Sequence, residues 1–455
     1  MTRESVALSD SEESLNLQND SKTNRHGVYR LLRPVIEVRP CEMRGLAWSW
    51  LYIFSVLSSY YIFRPIRDEM GVAGGVENLQ WLFTGTLLAM IALNPPFALL
   101  VARLPRVRFI GITYRFFIAN LLLFIVVLTM ATAEQNIWVG RVFFIWASVF
   151  NLFVVSVFWA LIVDVFDSEQ GRRLFGFIAA GATLGGIIGS SITAFLAKSV
   201  PAVYLLLASA ALLELSVLAV RRLSRLSPAL RKQPSPSSAE APIGGSIVSG
   251  FIHALRSPYL LNVSVYIVLF TITSTFLYFQ QAEIARQSFA DRGARTAFFA
   301  RIDLWVNILT LGAQLFLTAR LLRIIGVGLT LATLPALSIL GFSALAMVPT
   351  IAVLVSYQVL RRAGNFAFAR PAREVLFTVV SREDKYKAKS FIDTVIYRTG
   401  DQVGAWSYAG LGLLGLAMTG ISIIAVPISI AWLLNALWLG RKQERLASAE
   451  TAVTS

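Results

Sequence analysis

The chain of 455 residues is 56% apolar and only 15% charged, with a formal net charge of +15. Soluble domains usually hold about a quarter charged residues, and a soluble chain of this length could not hide so many uninterrupted apolar runs. The positive charge sits in short segments between those runs, as anchoring and orientation in a bilayer require, and this argues against a nucleic-acid partner.

In chain order, the stretch 1–27 is polar and lacks the apolar region of a signal peptide, so a disordered tail is expected. Cys41 is the single cysteine, which leaves no intramolecular disulfide to form. His26 and His253 are too few and too far apart to suggest a metal site, and no cofactor is expected. A membrane span needs roughly 20 mostly apolar residues. Candidates run 46–63, 79–102, 109–130, 141–163, 174–197 and 199–220. Pro95-Pro96 is expected to kink or break the second. A Pro- and Ser-rich polar stretch follows, 221–246, and reads as a flexible linker. Further candidates run 259–280, 302–319, 324–346, 350–369, 391–416 and 419–440, with Met347-Val348-Pro349-Thr350 as the turn inside the long uncharged stretch. The loop 286–301 is long enough to hold a short extracellular helix.

These runs predict an all-α polytopic membrane protein with about 12 transmembrane helices in two six-helix bundles of the major facilitator type. The expected parts are an N-terminal segment 1–45, a first bundle 46–220, a cytoplasmic linker 221–258, a second bundle 259–440 and a tail 441–455. Lys and Arg test the count: 29 fall in the segments this topology makes cytoplasmic, 7 outside and 5 within spans. That bias puts both termini in the cytoplasm.

Charges inside spans are costly, about +2.5 to +3.5 kcal/mol at a helix centre on insertion scales, and mark cavities or partners. Arg361 and Arg362 lie mid-span in the tenth run. Adjacent helical residues diverge by about 100°, so one is expected to face a cavity while the other packs or snorkels. A guanidinium there suits a phosphate or carboxylate. If the tenth helix starts later, both instead lie at the inner interface. Arg64, Arg67 and Asp68 end the first span and read as a clamp or outer gate, or as plain interfacial anchors, with Pro65 placed to turn the chain between them. Arg398 and Asp401 are spaced for an ion pair within one helix. Glu214 and Asp303 are membrane acids that keep proton coupling open.

Two loops occupy equivalent places after the fourth and tenth spans. In 164–173, Asp164, Asp167 and Glu169 are set to pair with Arg172 or Arg173. In 373–389, Glu383 or Asp384 is set to pair with Lys387 or Lys389. Such pairs suit an inner gate. Gly181, Gly185 and Gly189 recur every fourth residue and predict close helix packing. No phosphate-binding G-x-x-x-x-G-K-[ST] stretch appears, so transport driven by an internal ATPase is not expected.

PAREVLFTVVSREDKYKAKSFIDTVIYRTGD (371–401), DVFDSEQGRRLFGFIAAGATLGGIIG (164–189) and, more weakly, FRPIRDEMGV (63–72) resemble the ATP/ADP exchange carrier family of bacteria and plastids, including its distant bacterial members in the major facilitator group. The resemblance implies nucleotide antiport, with ATP and ADP as substrates, by a monomer in a bacterial inner membrane. By motif position it implies phosphate contacts for Arg67, Lys387, Lys389 and Arg398. The chain has Arg-Asp at 67–68 where the family has Lys-Asp. The expectation is therefore a secondary transporter exchanging a nucleotide or another phosphorylated anion. The rival is a facilitator for another solute, such as an organic acid, amphiphile or drug, with proton coupling open. A sensor or assembly role is a third class. A membrane enzyme is disfavoured, since no nucleophile, metal or carboxylate cluster stands out.

Overall fold

The computed structural model describes residues 38–230, 257–380, 388–389 and 391–454, and the secondary structure of those residues is entirely helical. The first half of the chain forms α1 (Met43–Ala73), α2 (Leu79–Arg103), α3 (Arg106–Met130), α4 (Ala133–Val165), α5 (Ser168–Leu196) and α6 (Ala202–Leu230). The second half forms α7 (Pro258–Ser288), α8 (Arg292–Phe316), α9 (Thr318–Met347), α10 (Ile351–Gly364), α11 (Tyr397–Leu413) and α12 (Met418–Thr454). A π-helical stretch, Asn365–Ala369, carries α10 on into Arg370–Leu376, and another, Ile392–Ile396, leads into α11.

Polar caps start several of these helices. Thr132 accepts from the Gln135 amide and Asp167 from that of Gln170, each in a capping box. Ser257, Asp291 and Thr350 cap α7, α8 and α10 in the same sense. α9 ends at Met347 and α10 begins at Ile351, as the Pro349 turn predicts. Three expectations differ from the structure. α2 continues through Pro95 and Pro96. α1 likewise continues through Pro65. The 286–301 segment holds no separate helix, because α7 extends to Ser288 and α8 starts at Arg292. Within α9, Gly326 has φ 75° and interrupts the helix, a backbone state open mainly to glycine.

Among the described residues, nine helices are long and apolar enough to cross a membrane: α1 to α7, α9 and α12. The protein is thus a polytopic α-helical membrane protein. α8, α10 and α11 fall short, and they are the helices that carry Arg301 and Asp303, Arg361 and Arg362, and Arg398 and Asp401.

Helix pairing in the two chain halves follows one pattern. α1 packs on α4, α5 and α6, while α7 packs on α10, α11 and α12. α3 lies on α6 as α9 lies on α12. The glycine stripe of α5 faces α1. A Cβ at Gly185 would sit 2.5 Å from the Phe54 carbonyl oxygen, and one at Gly189 would sit 2.4 Å from that of Ser58. Gly400 of α11 lies as closely on α7, and Gly404, whose Cβ would sit 3.0 Å from Ile272, nearly so. The halves meet through α5 on α8, α2 on α11, and α1 on α7 and α8.

Two ends can be distinguished. The terminal end holds the start of α1 and the end of α12, and the distal end holds the α1–α2, α5–α6 and α7–α8 connections. At the distal end one apolar core joins both halves, with Val72, Leu79, Leu82 and Phe144 packed with Phe276, Phe279 and Phe298. Among the described residues, the core of α1 to α6 takes only Ala297 from the second half. The remaining core, with Tyr259, Leu376 and Trp432, belongs to the second half alone.

A candidate functional site on the seam between the chain halves

Because α1 is unbroken at Pro65, Arg64 and Asp68 lie one helical turn apart on it. Arg64 reaches into the second half, where its Nη1 donates to Asp303 Oδ1 of α8 at 2.8 Å. Arg362 of α10 approaches the same oxygen, Nη1 to Oδ1, at 2.7 Å. Asp303 is 1% exposed. Its second oxygen, Oδ2, is buried with no hydrogen-bond partner among the described residues, and so is Arg64 Nε. Two guanidiniums around one carboxylate leave one positive charge in surplus. Asp303 is eleven residues into α8 and Arg64 nine from the end of α1. At ~1.5 Å per residue, that is roughly 14–17 Å below the distal helix ends, or half of a ~30 Å hydrocarbon core.

Arg361 points elsewhere. Its Nη1 donates to Ser274 Oγ at 2.9 Å, and its Nη2 to the Phe270 carbonyl and Thr273 Oγ1 at 3.0 Å each. The guanidinium also lies 5.1 Å from the Phe270 ring centroid and 5.9 Å from that of Trp432. All these groups belong to the second half. Of the two neighbouring arginines, Arg362 is therefore at the seam and Arg361 is enclosed behind it.

Closer to the distal end, further polar contacts cross the seam. Arg67 holds Asp68 at 2.6 Å and lies over the Phe144 ring, and Asp68 accepts from the Tyr278 hydroxyl of α7 at 3.0 Å. Glu69 is buried and accepts from Arg292 Nε and Nη2 and from Arg295 Nη2 of α8, each at 3.0 Å. Thr84 of α2 donates to Gln402 of α11 at 3.0 Å and accepts from Trp406 at 3.1 Å.

Other expected site residues lie apart. Arg398 pairs with Asp401 at 3.2 Å within α11, and Lys389 pairs with Glu374. Arg115 and Glu214 pair at 2.9 Å between α3 and α6, both about half exposed, so Glu214 is not in the Asp303 cluster. Asp167 serves as the cap of α5. Arg173 bonds Glu42 at 3.0 Å and approaches Glu169 at 3.6 Å. Burial raises the Glu42 carboxyl, but bonds from Arg173, the Arg39 amide and Gln170 outweigh it and hold the group below the usual carboxylate range. Asp164 lies in the last turn of α4 and Arg172 in the first turns of α5. Glu383, Asp384 and Lys387 lie outside the described residues.

Sequence reasoning passed over Glu42, Glu69, Tyr278, Arg292 and Arg295 as members of these clusters. Glu69 directly follows Asp68 at the close of an apolar run, and Arg292 and Arg295 are three apart just after the α8 cap. Those adjacencies are the available signals, but neither names a partner.

No family model matches the chain. It is 20% identical over 358 residues to ADP,ATP carrier protein 2 of Chlamydia pneumoniae, a match covering 67% of this chain. The chain spans 66% of that carrier's length, just under two thirds. In structure it resembles a transporter of the POT family in complex with 5-aminolevulinic acid, with TM-score 0.61, 12% identity and coverage of 88% and 96% of the two chains. A bacterial homologue of the human lysosomal transporter Spinster, in an inward-facing and unoccupied conformation, aligns with TM-score 0.57 and 12% identity over 90% and 99% of the two chains. A nucleoside transporter aligns with TM-score 0.52 and 16% identity over 88% and 99%. In fold the chain resembles these known transporters, and it is a multi-pass membrane protein.

Proposed function

We propose that the protein is a secondary transporter of an organic anion, working by alternating access between two six-helix halves, 46–220 and 259–440, joined by 221–258. In this reading it lies in a bacterial inner membrane with both termini cytoplasmic. Nine helices suit a bilayer by composition. In this reading α8, α10 and α11 complete the twelve, with Asp303 and Arg362, and Arg398 and Asp401, paired within the protein rather than meeting lipid.

The observation that carries the reading is the cluster of Arg64, Asp303 and Arg362, near mid-depth, with one positive charge in surplus. Guanidiniums around a shared anion suit a carboxylate or phosphate. Asp303 and Arg362 both belong to the second half, so parting the distal end strips Arg64 of its carboxylate. An anionic solute is its natural replacement, which favours exchange over return of an empty carrier. The distal contacts and the separate cores toward the terminal end suit a state closed distally.

The broader solute class, an organic acid or amphiphile, is the better supported, because nothing in the cluster selects phosphate over carboxylate. In that class Asp303 is the candidate for proton coupling, since a proton there would release both guanidiniums. The second reading, exchange of ATP and ADP or another phosphorylated anion, is favoured by the 371–401 motif and the likeness to an ADP,ATP carrier. It would add Lys387, Lys389 and Arg398 as phosphate contacts. The test is uptake into proteoliposomes preloaded with different solutes, using labelled organic acids, ATP, ADP and phosphate. Anion uptake that is lost in Arg362→Gln supports the proposal, and dependence on internal nucleotide selects the second reading. Absence of flux for every anion, with no stabilisation by any of them, would overturn both.

A further inference from the structure

Away from the Asp303 cluster, a cleft of about 490 Å³ lies at the distal end. Ile66, Glu69 and Met70 of α1 and the α5–α6 connection form one wall, and Arg292, Gly293 and Thr296 of α8 form the other. The walls come from opposite chain halves and meet tightly. A Cβ on Gly293 would lie 2.5 Å from the Ala197 carbonyl oxygen. The cleft therefore has this shape only while the distal end is closed.

Its charged groups are not balanced. Glu69 is paired with Arg292 and Arg295, and Asp291 Oδ2 accepts from the Ala294 amide at 2.6 Å while keeping its charge. Lys198 lines the cleft, is exposed, and has no ion pair among the described residues. The lining itself holds two cations, Arg292 and Lys198, against Glu69 and Asp291; Arg295, which bonds Glu69 from outside the lining, makes three cations against two carboxylates. The floor is apolar, from Ile66, Met70, Leu128 and Leu205. Asn136 Oδ1, also on the lining, is buried without a hydrogen-bond partner among the described residues.

We propose that this cleft binds an anionic group carried on an apolar stem, and that the occupant holds the distal end closed. Lys198 meets the anion and the floor takes the stem. A ligand that touches both walls binds the closed arrangement and not the parted one, so it shifts the population toward closure. Binding is independent of the solute carried. Its effect on the distal end rests on the alternating-access reading.

The probe is octanoate, tested on the full chain in phosphatidylcholine nanodiscs. In a Cys41→Ser background, Ser199→Cys reports the cleft and Thr84→Cys reports the distant α2–α11 contact. With octanoate in tenfold excess over its Kd, about one cleft in eleven stays empty, and maleimide labelling of the Ser199→Cys protein slows about tenfold. Octanol and octylammonium leave the rate unchanged, and Lys198→Gln removes the protection. Protection by phosphatidylglycerol without octanoate assigns the anion to a lipid headgroup, and its absence assigns it to a soluble acid. No protection by octanoate or by phosphatidylglycerol, equal protection by octanol, or protection that survives Lys198→Gln overturns the site. Slower labelling of the Thr84→Cys protein supports the closing effect. An unchanged rate there, with Ser199→Cys protected, overturns that effect and leaves the binding site standing.

Discussion

Replacing Asp303 with Asn removes the one carboxylate that serves both Arg64 and Arg362, while nearly keeping its shape. The two guanidiniums lie 2.8 and 2.7 Å from the same oxygen, so without its charge they face each other uncompensated. Breaking a buried ion pair costs ~3–5 kcal/mol. The Arg64 and Arg362 side chains keep 17% and 15% of their exposure, so some hydration remains and the low end applies. A loss of ~3 kcal/mol is roughly a hundredfold in the folding equilibrium. Thermal unfolding of the full chain in nanodiscs should show the loss. Arg362→Gln in the Asp303→Asn background should recover part of it, with a coupling of ~1–3 kcal/mol in the double-mutant cycle. If Asp303→Asn is as stable as the parent, or the two changes are simply additive, the cluster is not the electrostatic unit described.

Three other perturbations probe separate parts of the structure. Glu69→Gln leaves Arg295, 12% exposed, without its carboxylate, and discounting half-exposed Arg292 the closed distal end should weaken by ~1–2 kcal/mol; maleimide labelling of a Thr84→Cys reporter should accelerate about tenfold, and an unchanged rate would count against a cross-seam lock. Gly189→Val forces a side chain against the Ser58 carbonyl and should cost at least ~1–3 kcal/mol, read as lost folded yield, whereas Gly176→Ala, with nothing within 4 Å, should be neutral. The folded-state pKa of Glu42 is depressed, so its contribution is full above the ordinary carboxylate pKa of about 4.3 and is lost as pH falls through the lower folded value; Glu42→Gln should remove that acid-side slope from the pH–stability profile, and an unaltered slope would place the titration elsewhere.

The partly legible features divide by range. Pro349 announced the α9–α10 turn, and Asp167 and Asp291 mark helix starts through contacts three residues away. Pro95 and Pro96 do not end α2, which continues through them although both are exposed, so a proline pair in an apolar run is not by itself a helix end. The expected short helix near 286–301 is divided between its neighbours: Arg286 pairs with Glu283 within the last turns of α7, and Arg295 in the first turn of α8 reaches Glu69 across the seam. The π-helical stretches beside α10 and α11 have no simple composition signal.

What the sequence by itself determined was membrane residence, the helical class and the few charges that lie where bilayers penalise them. Hydropathy accumulates over a single span, so the order of residues suffices to read it. Only the tertiary structure decided which charges meet. Arg64 and Asp303 are 239 residues apart, and Arg292 and Glu69 are 223 apart. Nothing local specifies such partners. The same holds for Arg361 and Arg362, which look equivalent as neighbours. The 100° step between them matters only once α7 and α9 enclose one guanidinium and Asp303 is set before the other.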